Sequence, residues 1–388
     1  MYFSLPNYIT DHDQTNKYRI MKGLPNKKNG LFVLCMLCFI TGYSQTATSK
    51  FIAFNNPKVS YMGRIGLNDS CANFYWSGSS STIKVKGTRT LKAMLGDNVG
   101  NNYYYVIVDE KAPFKLQVDK GKKIYELVSN LDDKMHTIQL FKITNTDNRI
   151  TSLYGFEIDA KGKVLQPNKL PKRKIEFFGN SITAGHGVDV PTDSADSGAP
   201  QFFNNYKTYA ATTARHFNAQ YHCSAKSGIG IMVSWFNQIM PEIYDRVDPN
   251  DSNSKWNFSK YQPDIVVVNL FQNDSWLVNQ PEQPEFKAKF GTAKPTEDFI
   301  INAYANFIKT LRGKYSDANI ICCLRSMDAT KEGSKWPGYI TSAVALLKDR
   351  RIATHFFPYQ NTGGHPKARE QKIMADDLIA FIKKHYWK

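Results

Sequence analysis

Lys174-Ile175-Glu176-Phe177-Phe178-Gly179-Asn180-Ser181-Ile182-Thr183 is the stretch on which the fold turns. An apolar run of strand length, broken by one acid, ends in a glycine, and a hydroxyl residue follows at once. Downstream, apolar runs at 219–223, 264–270, 319–324 and 352–357 alternate with helical patterns at 206–217, 299–315, 339–347 and 368–385. In the last of these, Ile373, Met374, Leu378, Phe381 and Ile382 fall on one face. Such alternation predicts a parallel sheet covered by helices on both sides, a three-layer α/β/α arrangement. In open α/β sheets the functional groups gather at the carboxyl ends of the strands. Ser181 is therefore a candidate nucleophile, with Gly179 permitting close backbone approach. Read alone, the serine is equally a turn residue or a helix cap.

Upstream the rhythm is different. Residues 46–170 read as all-β: 82–86 alternates cleanly, and 103–108 and 136–143 are rich in β-branched and aromatic residues. Asn98-Val99-Gly100 and Asp147-Asn148 supply turn signals between such runs. Short strands so spaced predict a β-sandwich. The change of rhythm falls near Leu170-Pro171-Lys172-Arg173, which divides the chain into a sandwich domain at 46–170 and an α/β domain at 171–388. The polar stretches 189–205, 241–260 and 278–298 read as surface insertions, and there is no internal repeat.

The chain has 388 residues, 42% hydrophobic and 22% charged, which suits a folded protein of about two domains. Residues 31–40 (LFVLCMLCFI) have the length of a signal-peptide core, with Lys22, Lys27 and Lys28 as its positive flank and cleavage expected near Ser44. Residues 1–45 are thus leader and signal peptide, with Met21 as an alternative start; an uncleaved anchor is the rival reading. Export implies a secreted or periplasmic protein with no stable membrane association after cleavage. The net charge of +16 has no dense basic run. It reads as a solvated basic surface or, more sharply, a preference for acidic polysaccharide. Without a zinc finger, RNA-recognition signature or basic helix, nucleic acid is not an expected partner. Of the six cysteines, Cys35 and Cys38 lie in the apolar run; Cys71, Cys223, Cys322 and Cys323 have no metal-site spacing and are expected in the core.

Three further motifs follow strand-like runs. Ser227-Gly228-Ile229-Gly230 frees backbone N–H groups that suit a developing oxyanion. Asn273-Asp274 closes the 264–270 run, where an Asn amide can donate to the same oxyanion. Gly363-Gly364-His365-Pro366 precedes the final amphipathic helix and places a histidine on the same edge. Each alone is as readily a turn or cap; together they put Ser, Gly, Asn and His at the ends of different strands.

This order resembles the SGNH (GDSL-type) hydrolase superfamily over about residues 174–388. The resemblance implies Ser181 as nucleophile, His365 as its base, and Ser181, Gly228 and Asn273 as oxyanion donors, with no metal and no organic cofactor. Gly63-Arg64-Ile65, then 74–79 (FYWSGS) and Gly87-Thr88, resemble the jelly-roll-like N-terminal domain of carbohydrate esterase family 2. That implies a secreted esterase removing acetyl groups from plant-type oligo- or polysaccharide, in the manner of acetyl xylan esterases. Alternatives are a weakened glycan-binding protein and a lipase or thioesterase of the same superfamily. The sequence departs from the pattern twice. Phe271 stands where the family has glycine and is expected to narrow the acyl pocket. Thr362 and Gly363 stand where an acid precedes the histidine, so His365 is expected to be oriented by a carbonyl of the Gly363-Gly364 turn, as in some family members; Asp189, Asp193 and Asp196 are the alternative partners. Trp276 is expected to line the cleft mouth and hold sugar, with Trp235 and Trp256 as weaker candidates.

Overall fold

The computed structural model describes residues 48–324 and 328–387. The signal-peptide reading lies outside the described residues. Among them, no helix is long and apolar enough to cross a membrane.

Two antiparallel six-stranded sheets form the sandwich. In one, Thr151–Asp159 pairs with Ala72–Phe74, Leu91–Asp97 and Ser49–Ala53. In the other, Met135–Lys142 lies between Ser80–Lys86 and Asn102–Val108. The alternation read at 82–86 is kept: Ile83 and Val85 are fully buried, and Phe74, Leu95, Tyr104, Leu140 and Phe156 fill the space between the sheets.

The second half is a five-stranded parallel sheet, its strands labelled β1 (Arg173–Gly179), β2 (Ala219–Ala225), β3 (Ile265–Asn269), β4 (Asn319–Leu324) and β5 (Ile352–Phe356). Their order is β2-β1-β3-β4-β5, and every pairing is parallel. The order reverses between β1 and β3, the topological switch point at which ligands bind in such sheets. The helices that bear on the site and its two flanking cores are α1 (Ser181–Ala184), α2 (Tyr209–His216), α3 (Gln272–Leu277), α4 (Glu297–Lys314), α5 (Trp336–Leu347) and α6 (Ala368–His385); two further short helices, Met240–Ile243 and Pro284–Phe290, lie in the connections. The period of two along the strands sorts side chains between two cores. Phe178, Val266, Ile320 and Cys322 pack under α4 and α5, whereas Ile175, Phe177, Ile321 and Cys323 pack under α2 and α6. The adjacent cysteines thus face opposite cores, and all four described cysteines are buried free thiols. On α6, Met374, Leu378 and Ile382 are buried as the pattern requires, but Ile373 lies on the rim, 41% exposed.

The sandwich and the α/β layer belong to one compact unit, Ala47–Lys388. Trp76 joins the α4–α5 core, and Tyr105, Phe141 and Ile143 join the α2–α6 core. Between them runs a buried ion pair: Arg64 Nη2 donates to Glu176 Oε1 at 2.8 Å, with side-chain exposures of 1% and 0%. The same guanidinium donates through Nη1 to the carbonyls of Tyr244 and Arg246. Glu176, in the middle of β1, also accepts from Ser224 Oγ and the Tyr315 hydroxyl. A buried pair adds little net stability, but removing one member strands a buried charge. Arg64→Met is expected to cost about 3–5 kcal/mol in urea denaturation, and a second change, Glu176→Leu, to recover most of it. A loss under 1 kcal/mol for the single variant would mean that Glu176 finds other compensation.

Candidate active site

The turn after β1 is built around Asn180. Its side-chain oxygen accepts from Ile182 N–H at 3.1 Å and caps α1, while its amide donates to Gln272 Oε1 at 2.5 Å. Gln272 in turn donates to Asn269 Oδ1 at 2.7 Å, so the nucleophile turn is tied to the end of β3. A Cβ at Gly179 would lie 2.1 Å from Thr183 Oγ1, which is why β1 must end in glycine. Ser181 opens α1, where backbone N–H groups have no intrahelical acceptor.

Ser181 and His365 come together: His365 Nε2 lies 2.8 Å from Ser181 Oγ. The expected carbonyl orienter does not. Gly364 O accepts from Thr362 Oγ1 at 2.6 Å, and His365 Nδ1 instead lies 2.6 Å from Asp196 Oδ2, which also accepts His365 N–H at 3.1 Å. The histidine therefore has a carboxylate partner from the 189–205 stretch, and the dyad expectation is corrected. Of the three alternative acids, Asp196 is the one in contact. Asp189 is engaged by Lys115, Lys207 and Asn204. Two glycines shape the slot for Asp196: a Cβ on Gly187 would sit 2.7 Å from its Oδ1, and one on Gly364 within 2.9 Å of its Cβ. The glycine that occupies the position before the histidine thus makes room for an acid arriving from elsewhere. The hydrogen bond from His365 holds the Asp196 carboxyl well below the usual carboxylate range. It stays charged while the imidazole changes protonation.

His186, which the sequence reading did not single out, stacks on His365 at 4.0 Å between ring centroids and 26° between planes. Burial, aided by the neighbouring His365, lowers its pKa to about 4, so it is a neutral ring at neutral pH. Ligand atoms of His186, Asp196 and His365 lie within 4.8 Å of one another. Stacked imidazoles direct their in-plane lone pairs side by side rather than at one point, and His365 Nδ1 is already engaged by Asp196. The cluster suits proton transfer better than metal coordination.

Gly228, at φ +79°, lies after β2 in a loop that Asn273 and Asp274 hold from α3. Asn273 Nδ2 donates to Ile229 O at 2.8 Å, leaving its second N–H, and Asn273 Oδ1 accepts from Trp235 Nε1 at 3.1 Å. The buried Asp274 carboxylate accepts from the N–H groups of Ile231, Met232 and Val233. Burial pushes its pKa up to about 6 against the pull of those bonds.

Two aromatic assignments change. Phe271 does not line an acyl pocket: its ring has no exposure and packs against Tyr304 and Trp336, at 4.8 and 5.1 Å between centroids. The cause is backbone geometry, since at φ +90° its Cβ leaves the chain toward the α4–α5 core. Trp276 is half-buried in the wall of a cleft of about 590 Å³ shared with Trp336 and Tyr339, whose lining includes neither Ser181 nor His365. The aromatic bonded to the candidate oxyanion donor Asn273 is Trp235, 43% exposed. Trp256 covers Arg64 instead.

The sequence profile described as carbohydrate esterase 2 N-terminal matches residues 61–167. The chain is 32% identical over 344 residues to cellulase/esterase CelE of Acetivibrio thermocellus, a match covering 85% of this chain and 40% of that protein. It is 24% identical to an acetylxylan esterase / glucomannan deacetylase of Cellvibrio japonicus, covering 88% and 92% of the two chains. Among solved structures, a family two carbohydrate esterase from Clostridium thermocellum in complex with cellohexaose superposes with a TM-score of 0.74, at 30% identity over 85% of this chain and all of that one.

Two outcomes follow from this geometry. Phe271→Gly removes a buried ring, about 3–5 kcal/mol, but relieves about 1–3 kcal/mol of backbone strain. A net loss of about 2 kcal/mol in urea denaturation is expected, with the ratio of acetyl to butyryl ester turnover unchanged; a flattened ratio would return the ring to the acyl pocket. Asp274→Ala orphans three buried N–H groups and is expected to cost about 3 kcal/mol, with increased hydrogen exchange at residues 228–235.

Proposed function

Because the chain belongs to carbohydrate esterase family 2, we propose that it removes acetyl groups from plant-type polysaccharide by a Ser-His-Asp acyl-enzyme mechanism. The observation that carries the mechanism is the relay from Ser181 Oγ through His365 to Asp196, at 2.8 and 2.6 Å, at the switch point of the sheet. His365 Nε2 takes the proton of Ser181 Oγ as the oxygen attacks the acetyl carbonyl carbon. The negative charge formed on the carbonyl oxygen is met by the N–H groups of Ser181 and Gly228 and by the Asn273 amide. The tetrahedral intermediate collapses, the sugar oxygen leaves with the proton from His365, and acetate remains esterified to Ser181. Water, losing a proton to the same Nε2, releases acetate and restores the serine. Asp196 holds the imidazole with Nε2 toward Ser181 and stabilises the imidazolium.

The substrate class follows from the relatives, one named an acetylxylan esterase / glucomannan deacetylase and one seen with cellohexaose. An exposed Trp235 beside the site offers an apolar face of the kind on which a sugar ring stacks. Export through the apolar run at 31–40 belongs to the same reading.

The test is acetate release from acetylated xylan and acetylated glucomannan by the purified protein. Ser181→Ala is expected to abolish release without shifting the melting temperature, and Asp196→Asn to lower kcat by about 10⁴. Asn273→Ala is expected to lower kcat by about 10²–10³ with KM little changed. Undiminished turnover by folded Ser181→Ala sinks the mechanism. Hydrolysis of long-chain esters but not acetylated glycans moves the protein to the lipase reading.

A further inference from the structure

The acid of the relay is carried by a polar loop in which only Pro191 and Pro200 restrict the backbone locally. Residues 189–202 leave and return at one point, where Asp189 N–H donates to Phe202 O at 3.0 Å. At this neck Asp189 is gripped by Lys207 and Asn204, and by Lys115 of the sandwich, each at 2.8 Å. Between Pro191 and Pro200 the loop contains no helix or strand. Its backbone carbonyls are instead gathered by one side chain. Lys367 Nζ donates to Pro191 O at 2.6 Å and to Thr192 O and Ser194 O, both at 2.8 Å. All three ammonium hydrogens are thereby used, two residues before Asp196.

The position of this lysine is costly by every local rule. Lys367 is the N-cap of α6, where Ser, Thr, Asp or Asn is favoured, and a cation there opposes the helix dipole. Glu370 offsets part of this by accepting Lys367 N–H at 3.1 Å. The lysine also lies two residues after His365, with Pro366 between, so one short rigid segment holds both the base and the ammonium that anchors the acid's loop.

We propose that Lys367 is a positioning residue for the relay: by drawing the carbonyls of residues 191, 192 and 194 together, it delivers Asp196 to His365 Nδ1. The proposal rests on the triad reading of the site. It assigns Lys367 no contact with substrate. Its effect belongs to kcat and passes through Asp196.

Four forms of the full chain test this: wild type, Lys367→Met, Asp196→Asn and the double variant, with 4-nitrophenyl acetate as substrate and thermal melting as a check on folding. A misplacement of about 1 Å can cost 10²-fold in rate, so Lys367→Met is expected to lower kcat by about 10–100-fold with KM within twofold. In the Asp196→Asn background, the same change should alter the residual kcat less than about twofold, the non-additivity expected of groups acting in one chain. Limited proteolysis gives a readout independent of turnover: Lys367→Met should open residues 191–199 to cleavage while the rest of the chain stays resistant. Three results overturn the proposal. They are an unchanged kcat in Lys367→Met, a rise in KM with kcat kept, and an equal loss in both backgrounds. Full activity of Asp196→Asn alone defeats the triad reading itself, whereas a crippled Asp196→Asn beside a fully active Lys367→Met defeats only the clamp.

Discussion

A carboxylate with no exposed surface in the middle of a central strand must be given its counter-charge by the fold, and Glu176 receives it from the other half of the chain. Arg64 crosses from the sandwich to reach it, and donates through Nη1 to two carbonyls of the segment after β2. Desolvating two charges is expensive, and only close pairing with further hydrogen bonds makes it tolerable. The guanidinium also lies within 6 Å of the ring centroids of Phe178, Trp256 and Phe258, whose π faces favour a cation. Glu176 stands on β1, five residues before Ser181 in the turn that follows the strand. The register of β1, and with it the place of the nucleophile turn, is thus tied to a contact that forms only when the two halves are docked.

The residues around the nucleophile repeat this logic on a smaller scale: polar side chains are used to fix backbone. Asn180, Gln272 and Asn269 link the ends of β1 and β3. Asp274 gathers three N–H groups of the 228–235 loop, and Asn273 holds both Ile229 and Trp235. An oxyanion donor is useful only if it does not have to move when charge develops. A backbone N–H at a positive-φ glycine gains that rigidity from such neighbours. The adjacent residues of the Asn-Asp pair therefore divide the work, the amide holding Ile229 and Trp235 and the carboxylate holding the N–H groups of residues 231–233.

Much of this was legible in the sequence, and the pattern of what was not is informative. The expected strand at 319–324 and helix at 368–385 coincide with β4 and α6. Hydrophobic period is a direct imprint of which face is buried, so the helical and strand runs were readable one by one. The strand ends then pointed to Ser181, Gly228, Asn273 and His365, because in a parallel sheet those ends share an edge, and the structure brings Ser181 and His365 into contact. Asp196 was not readable in that way. It arrives from a polar loop with no period, and its partner lies 169 positions away. The available trace was indirect: a glycine immediately before the histidine, whose missing side chain is the space the acid fills. Phe271 failed for a different reason. Glycine is usual at that position, but where a ring points depends on φ, and φ is a property of the folded turn. His186 carried no signal at all, since a stacking partner needs only to be flat and near.

The closed neck of the 189–202 loop has an evolutionary consequence. A segment that leaves and re-enters the fold at one backbone hydrogen bond can be inserted or excised as a unit, with no strand shifted in register and Val190 the one buried apolar side chain it takes with it. The third member of the relay is housed in such a segment, apart from the scaffold that carries the serine and the histidine. A single insertion or deletion there would add or remove the carboxylate beside His365, while the sheet that presents Ser181 and His365 kept its register.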